Sequence, residues 1–278
     1  PPHGRVVLER GAPRPAPAAT EPDRAFHMSD GVVEHADVEA ATDAYAARFA
    51  GPVGEWFLDV QGRTMLTLLP GGPEHLRVLD VGGGHAQLVP YLLRAGHDVT
   101  VLGSQPGCAA RLTEWLDGRR CRFHVGNLAD TPYPDAAFDV VLSFRMLAHV
   151  ADWRAFLGEL CRVAARSVIV DFASLRSLNR FAGATFGLKR RLETDTRTFR
   201  TFHPAMLRDA FAGNGFHVAG SKPQYALPMV LHRTIGSIRV ARALEGVARR
   251  AGLTRRLGSP IIVRADREPG LARPEGRH

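Results

Sequence analysis

The sequence predicts an α/β fold built on a mostly parallel sheet. Short apolar runs alternate with stretches of helical periodicity from about Arg77 onward. One of these runs, Val78-Leu79-Asp80-Val81, opens directly into Gly82-Gly83-Gly84. Strand–helix alternation of this kind implies right-handed crossovers, which lay helices on both faces of parallel strands.

The chain has 278 residues, enough for one sizeable domain with additions. It is 45% hydrophobic and 23% charged, the balance of an ordinary globular protein. No apolar run approaches the roughly 18 residues needed to cross a bilayer. No charged start followed by an apolar stretch suggests a secretory leader. A cytoplasmic location is therefore expected. Cys108, Cys121 and Cys161 lie far apart and form no C-x-x-C pair, which argues against a disulfide framework and a zinc site. No His/Asp/Glu spacing points to another metal, so no metal ligands are expected. The net charge of +8 is uneven. Residues 176–278 carry 20 basic and 7 acidic side chains, +13, and residues 1–175 carry −5. A basic C-terminal third suits a solvated arginine-rich surface, an anionic substrate, a membrane surface or nucleic acid.

Taken in order, residues 1–27 are rich in Pro and Ala and are expected to be disordered, as is the tail 269–278. Residues 28–72 read as a helical cap. Ala40, Tyr45, Phe49, Trp56, Val60 and Met65 recur at helical intervals, with a break at Gly51-Pro52. The main domain spans 73–268. Its predicted strands are Leu76–Val81, Asp98–Leu102, Arg122–Val125, Phe138–Ser143, Ser167–Phe172, Phe216–Ser221 and Pro260–Ala265. Its predicted helices are Ala86–Arg94, Gly107–Leu116, Trp153–Val163 and Pro204–Asn214. Two stretches, 173–202 and 223–258, break the alternation and read as insertions. In the second, Ile238, Ala241, Leu244, Val247, Ala248 and Ala251 share a helical face, and Arg239, Arg242, Arg249 and Arg250 lie largely off it. Three roles stay open for this basic amphipathic helix: covering a pocket, packing on the sheet, and transient contact with a membrane surface.

The glycine bend carries the chemistry. Glycine permits a tight turn and lets a ligand approach bare backbone. A following helix would add unpaired N–H groups and a positive dipole end. The bend is not a dinucleotide fingerprint, because Gln87 stands where the third glycine of G-x-G-x-x-G belongs. A Walker A lysine is also missing. The acid Asp80 precedes the glycines and suits a ligand with an ammonium group.

Three further segments extend the pattern. Gly126-Asn127-Leu128 precedes Pro132-Tyr133-Pro134-Asp135 and Phe138-Asp139-Val140-Val141. Ser143-Phe144-Arg145-Met146-Leu147-Ala148-His149-Val150 follows the fourth predicted strand. With the bend, these make Arg77–Ser174 resemble the core of class I S-adenosylmethionine (SAM)-dependent methyltransferases, in the group similar to ubiquinone and menaquinone biosynthesis methyltransferases. The resemblance implies a Rossmann-like, mostly parallel seven-stranded sheet with an antiparallel last strand, flanked by helices, and SAM as cofactor. It assigns Asp80, Gly82, Gly83 and Gly84 to the methionine end of the cofactor. Asn127 and Leu128 are assigned to the adenine, with the Asn127 amide oxygen in place of the family's acid. Phe144 falls beside the methyl group. The family ends its second strand with an acid that grips the ribose. Gly103, Ser104 and Gln105 stand there instead, and Ser104 or Gln105 is left to hold the ribose by neutral hydrogen bonds.

His149 is the candidate general base, since histidine titrates near neutrality. His85, His203 and Asp171 are weaker candidates. Phe144, Tyr45 and Trp56 either flank a sulfonium or simply pack the core. Residues 38–69, 173–202 and 223–258 are expected to enclose an apolar acceptor pocket that includes Phe181, Phe186, Phe199, Phe202, Tyr225, Leu227, Met229 and Leu231. The function expected is methyl transfer to an O, C or N atom of a small, largely apolar acceptor such as a quinol, phenol, lipid-like molecule or natural product. Two alternatives stay open: an RNA or protein methyltransferase using the basic face, and a non-catalytic SAM-binding protein. Nucleic acid is not the expected partner, since no RNA-binding module is visible.

Overall fold

The computed structural model describes residues 35–71, 75–116, 119–177 and 199–270. The expected tail 1–27, residues 271–278 of the expected tail 269–278, and Phe181 and Phe186 lie outside these residues.

Three helices open the described chain: α1 (Ala36–Ala40), α2 (Asp43–Ala47) and α3 (Gly51–Leu68). The break at Gly51-Pro52 is real: Gly51 takes φ +77 and Pro52 opens α3, where its missing N–H costs nothing. Then follow β1 (Arg77–Val81), α4 (Val89–Arg94), β2 (Asp98–Gly103), β3 (Cys121–Val125), β4 (Phe138–Ser143), α5 (Trp153–Val163) and β5 (Ala164–Phe172). After residues 178–198 come α6 (Pro204–Ala212), β6 (Phe216–Tyr225), α7 (Met229–Ile235), α8 (Ile238–Arg250), α9 (Leu253–Leu257) and β7 (Ser259–Arg267). Among the described residues no helix is long and apolar enough to cross a membrane.

The seven strands form one sheet in the order β3-β2-β1-β4-β5-β7-β6. β7 runs antiparallel to both β5 and β6, and the other neighbouring strands pair in parallel. Alternate residues of the central strands face opposite layers, as the two-residue period of a strand requires. Leu79, Val81, Val141, Val168 and Val170 join Phe156, Leu160 and Phe211 on one face. Val78, Val101, Val140 and Ile169 join Met65, Val89 and Leu92 on the other. This two-sided burial explains why the strands read as near-continuous apolar runs.

Three expected elements differ. The helix expected at Ala86–Arg94 begins only at Val89, because Ala86 is left-handed (φ 60) and Pro90 lies in the first turn. No helix N-terminus therefore adjoins the glycines. The helix expected at Gly107–Leu116 is a 3₁₀ turn over Pro106–Ala109 followed by further turns. Its bonds run from Cys108 to Gln105, Ala110 to Gly107 and Leu112 to Ala109, the tighter i→i+3 pattern. In α8 the buried stripe is Ala241, Glu245 and Ala248, while Leu244 and Val247 are exposed. Glu245 turns the helix, because its carboxylate accepts from the Ala226 and Leu227 backbone N–H groups and meets His232 Nε2 at 2.9 Å. A buried carboxylate is tolerable only with such partners.

Candidate cofactor and acceptor site

The strand order reverses between β1 and β4, so their chain exits diverge and leave a crevice at their carboxyl ends. Gly82–Gln87 leaves β1 at this crevice, and Phe144–His149 leaves β4.

The glycines of the bend are set partly by local packing. Gly82 has φ +76, and a Cβ there would strike the Met146 sulfur at 2.7 Å. A Cβ on Gly83 would fall 2.2 Å from Asp80 Oδ2, and one on Gly84 would fall 2.8 Å from the Cys108 carbonyl oxygen. Gly82 N–H donates to Leu102 O at 2.8 Å, which ties the bend to β2. Asp80 is buried, and that burial pushes its carboxyl up to about 7 against the opposing pull of Arg145.

Unpartnered polar atoms gather around this bend. Asp80 Oδ1, both ring nitrogens of His85, Gln87 Oε1 and Arg145 Nη1 are shut off from solvent without a hydrogen-bond partner. Each such atom costs about 1–3 kcal/mol when left unmade. Gathered in one place, they leave both a carboxylate and a guanidinium free to meet an added ligand. His85 sits edge-on to Tyr45 and Phe49, and burial and nearby arginines lower it to about 4, so it is neutral at pH 7.

Arg145 is held in a left-handed backbone conformation (φ 61). Its N–H donates to Asp171 Oδ1 at 2.5 Å, while Gln61 Nε2 donates to Asp171 Oδ2 at 3.0 Å. Asp171 therefore fixes a costly backbone turn that aims the Arg145 guanidinium over the Phe49 and Tyr45 rings, at 4.6 and 5.4 Å. Burial pushes Asp171 up to about 6, with Arg145 again opposing.

At the end of β2 the structure brings in a residue that spacing did not reveal. Asp37, fully buried on α1, accepts from Ser104 N–H at 2.8 Å and from Ser104 Oγ at 2.5 Å. Ala36 beside it is buried in the same apolar cluster as Leu102, Leu128 and Met146, and a Cβ on Gly84 would meet the Ala41 Cβ at the end of α1 at 3.4 Å. The short helix α1 thus covers the glycine bend and the end of β2. No sequence signal marks Asp37, since the contact joins segments 67 residues apart.

The other expected residues fall as follows. Gly103 ends β2, where a Cβ would strike Phe123 and Cys108. Gln105 is exposed. Asn127 Oδ1 accepts from Ala129 N–H at 3.0 Å in a local turn, and Leu128 is buried. Phe144 is buried in the cluster that also holds Ala86, Leu88 and Ile169. Trp56 is likewise core, packed against Phe57 and Tyr225. His203 caps α6 through Ala205 N–H and meets Arg176, a structural role.

Beside the bend lies a cavity of about 450 Å³. Phe57, Phe172, Phe199, Tyr225 and Met229 supply apolar walls, and His149 lines it with its ring 5.7 Å from that of Phe199. Phe202 is fully buried against Trp153 and Phe172 and does not line it. Leu227 and Leu231 do not line it either. Among the described residues no cluster of three His, Cys, Asp or Glu side chains stands ready for a metal ion.

A doubly wound sheet with a ligand crevice at its switch point is the architecture of a nucleotide-binding α/β enzyme domain. Comparison with known proteins narrows the class. Residues 79–170 match the family model described as a methyltransferase domain. A stretch of 87 residues is 39% identical to the ubiquinone biosynthesis O-methyltransferase of Paramagnetospirillum magneticum, covering 31% of this chain and 34% of that protein. Another of 52 residues is 46% identical to the ajmaline N-methyltransferase of Rauvolfia serpentina, covering 19% and 18%. The matches thus span about a third or less of these relatives' length. The magnesium protoporphyrin IX methyltransferase of Synechocystis, solved with bound SAH, superposes over 81% of this chain and 94% of its own, with a TM-score of 0.54 and 18% identity. Residues 79–170 are thus similar to a methyltransferase domain, and the fold around them is shared with solved methyltransferases.

Proposed function

We propose that this chain binds SAM at the glycine bend and transfers its methyl group to a small, largely apolar acceptor held in the adjoining cavity. The observation that carries this reading is the set of unpartnered buried atoms beside the bend, opposite in charge and next to an apolar cavity.

The residues fit the cofactor. An amino-acid end bears an ammonium and a carboxylate. Asp80 meets the first and Arg145 the second. Asp37 supplies from α1 the acid that Gly103, Ser104 and Gln105 lack, and Ser104 orients it. Asn127 and Leu128 border the adenine side. α1 must shift to admit the nucleoside, because Asp37 sits on Ser104 at the end of β2. When bound, SAM supplies a methyl group on a sulfonium, already activated toward in-line displacement. The chain's own work is then orientation and exclusion of water. The aromatic walls keep the acceptor dry, and His149 takes the proton of an oxygen or carbon nucleophile.

A concave, largely apolar cavity favours a small acceptor over RNA or a protein. The names of the two matched relatives, which concern ajmaline and ubiquinone biosynthesis, support the same choice. Calorimetry with SAM, its demethylated product and NAD tests the reading. SAM and the product are expected to bind and NAD is not; binding of NAD alone overturns it. Mass spectrometry of an acceptor panel for an added methyl group then tests turnover.

A further inference from the structure

Three guanidinium groups converge on one pair of rings in the cavity wall. Tyr45 and Phe49 stand with ring centroids 5.8 Å apart. Arg48 lies over Tyr45 at 5.0 Å, Arg233 over Phe49 at 5.6 Å, and Arg145 over both. All three arginines line the cavity, and they come from α2, α7 and the segment after β4. Like charges gathered at an apolar wall repel one another, and the repulsion grows as water is excluded.

The acids nearby do not neutralise this cluster. Among the described residues Asp171 is the one carboxylate lining the cavity, and both its oxygens are engaged by Arg145 N–H and Gln61. Arg48 pairs with Glu39 at 3.2 Å, but both side chains are solvent-exposed, at 53% and 36%. Such a surface pair is worth about 0–1 kcal/mol and is readily exchanged for another anion. Arg233 forms no ion pair among the described residues. Partial burial and the neighbouring charge of Arg48 both hold its guanidinium below the usual range.

We propose that the acceptor carries an anionic group, a carboxylate or phosphate, bound by Arg48 and Arg233, while its hydrocarbon part fills the cavity against Phe57, Phe172 and Tyr225. Guanidinium forks match the planar or trigonal oxygens of these groups and hold them by charge-assisted hydrogen bonds. Arg145 is not needed for this, since it faces Asp80 and the amino-acid end of SAM. The proposal rests on the cavity being the acceptor site of the methyltransferase proposed above.

The test uses the full chain and three eight-carbon probes: octanoate, octyl phosphate and octanol. Their affinities are measured by calorimetry with and without saturating SAM. At least one anion is expected to bind tenfold or more tightly than octanol, and comparing the two anions identifies the head group. Arg233→Gln and Arg48→Gln are each expected to erase most of that preference while leaving SAM affinity unchanged. Both side chains are exposed, so folding is not at risk. Octanol binding as tightly as both anions, failure of both anions to bind, or a preference unmoved in both variants overturns the proposal. SAM affinity, read in the same titrations, reports separately on the methyltransferase reading. Bound SAM with no anion preference sinks this inference alone.

Discussion

In the proposed binding mode Asp80 is the residue on which cofactor affinity turns. Its carboxyl sits at about 7 in the free protein because burial disfavours the charge more than Arg145 favours it. The SAM ammonium binds the ionised form. The sign follows: raising pH through 7 removes the competing proton, so affinity rises. At pH 6 most Asp80 is protonated and binding must expel that proton. We expect SAM affinity to increase about tenfold between pH 6 and pH 7.5, with proton release visible in buffers of different ionisation enthalpy. Asp80→Asn is expected to flatten this dependence, and Asp80→Ala to weaken binding at least tenfold. Unchanged affinity in a folded Asp80→Ala protein places the cofactor elsewhere. Asp171 lies near the same site but is engaged differently. Its two oxygens secure the Arg145 turn and Gln61, so it acts as a positioning residue rather than as a base.

At the scale of elements, α1 is the piece whose position matters most. It has only five residues and no side-chain hydrogen bond at its N-cap. An isolated helix of that length has no stability of its own. Its place is set by Asp37 on Ser104 and by burial of Ala36 in the main apolar cluster. Such an element is able to lift and re-seat at modest cost. If Asp37 re-seats on the ribose, Asp37→Asn loses a hydrogen bond to a charged group, worth about 1.5–3 kcal/mol. SAM affinity is then expected to fall about tenfold or more. Tighter binding in that variant would instead make α1 a plug that competes with the cofactor. The α7–α8 pair is fixed by contrast, since buried Glu245 joins two backbone N–H groups to His232. That anchor holds Met229 and Arg233 at the cavity.

For the whole molecule, the methyltransferase reading joins two compartments on one sheet. The bend after β1 carries the unpartnered polar atoms, and the neighbouring cavity carries apolar walls with arginines. Filling the first removes several buried unsatisfied groups at once. Saturating SAM at about 100 times its Kd is expected to add about 2.7 kcal/mol of stability. For a domain of this size each kcal/mol shifts Tm by about 2–4 °C, so a rise of about 5–10 °C is the expected reading by calorimetric melting. NAD at the same concentration is expected to produce no rise.

The sequence by itself determined the sheet. Buried strands such as Phe138–Ser143 and Val78–Val81 must be apolar on both faces, and helices such as Trp153–Val163 carry an apolar stripe. The acid-then-glycine bend was legible for the same reason: local backbone demands leave local marks. The tertiary structure alone decided what crosses between segments. It set Asp37 against Ser104, put Arg145 over Tyr45 and Phe49, buried Phe144 in the core and turned Glu245 inward against the apolar face of its own helix. These outcomes depend on which remote partners satisfy a buried charge or fill a gap. A periodic pattern records which face of an element is apolar, but not which distant group will meet it.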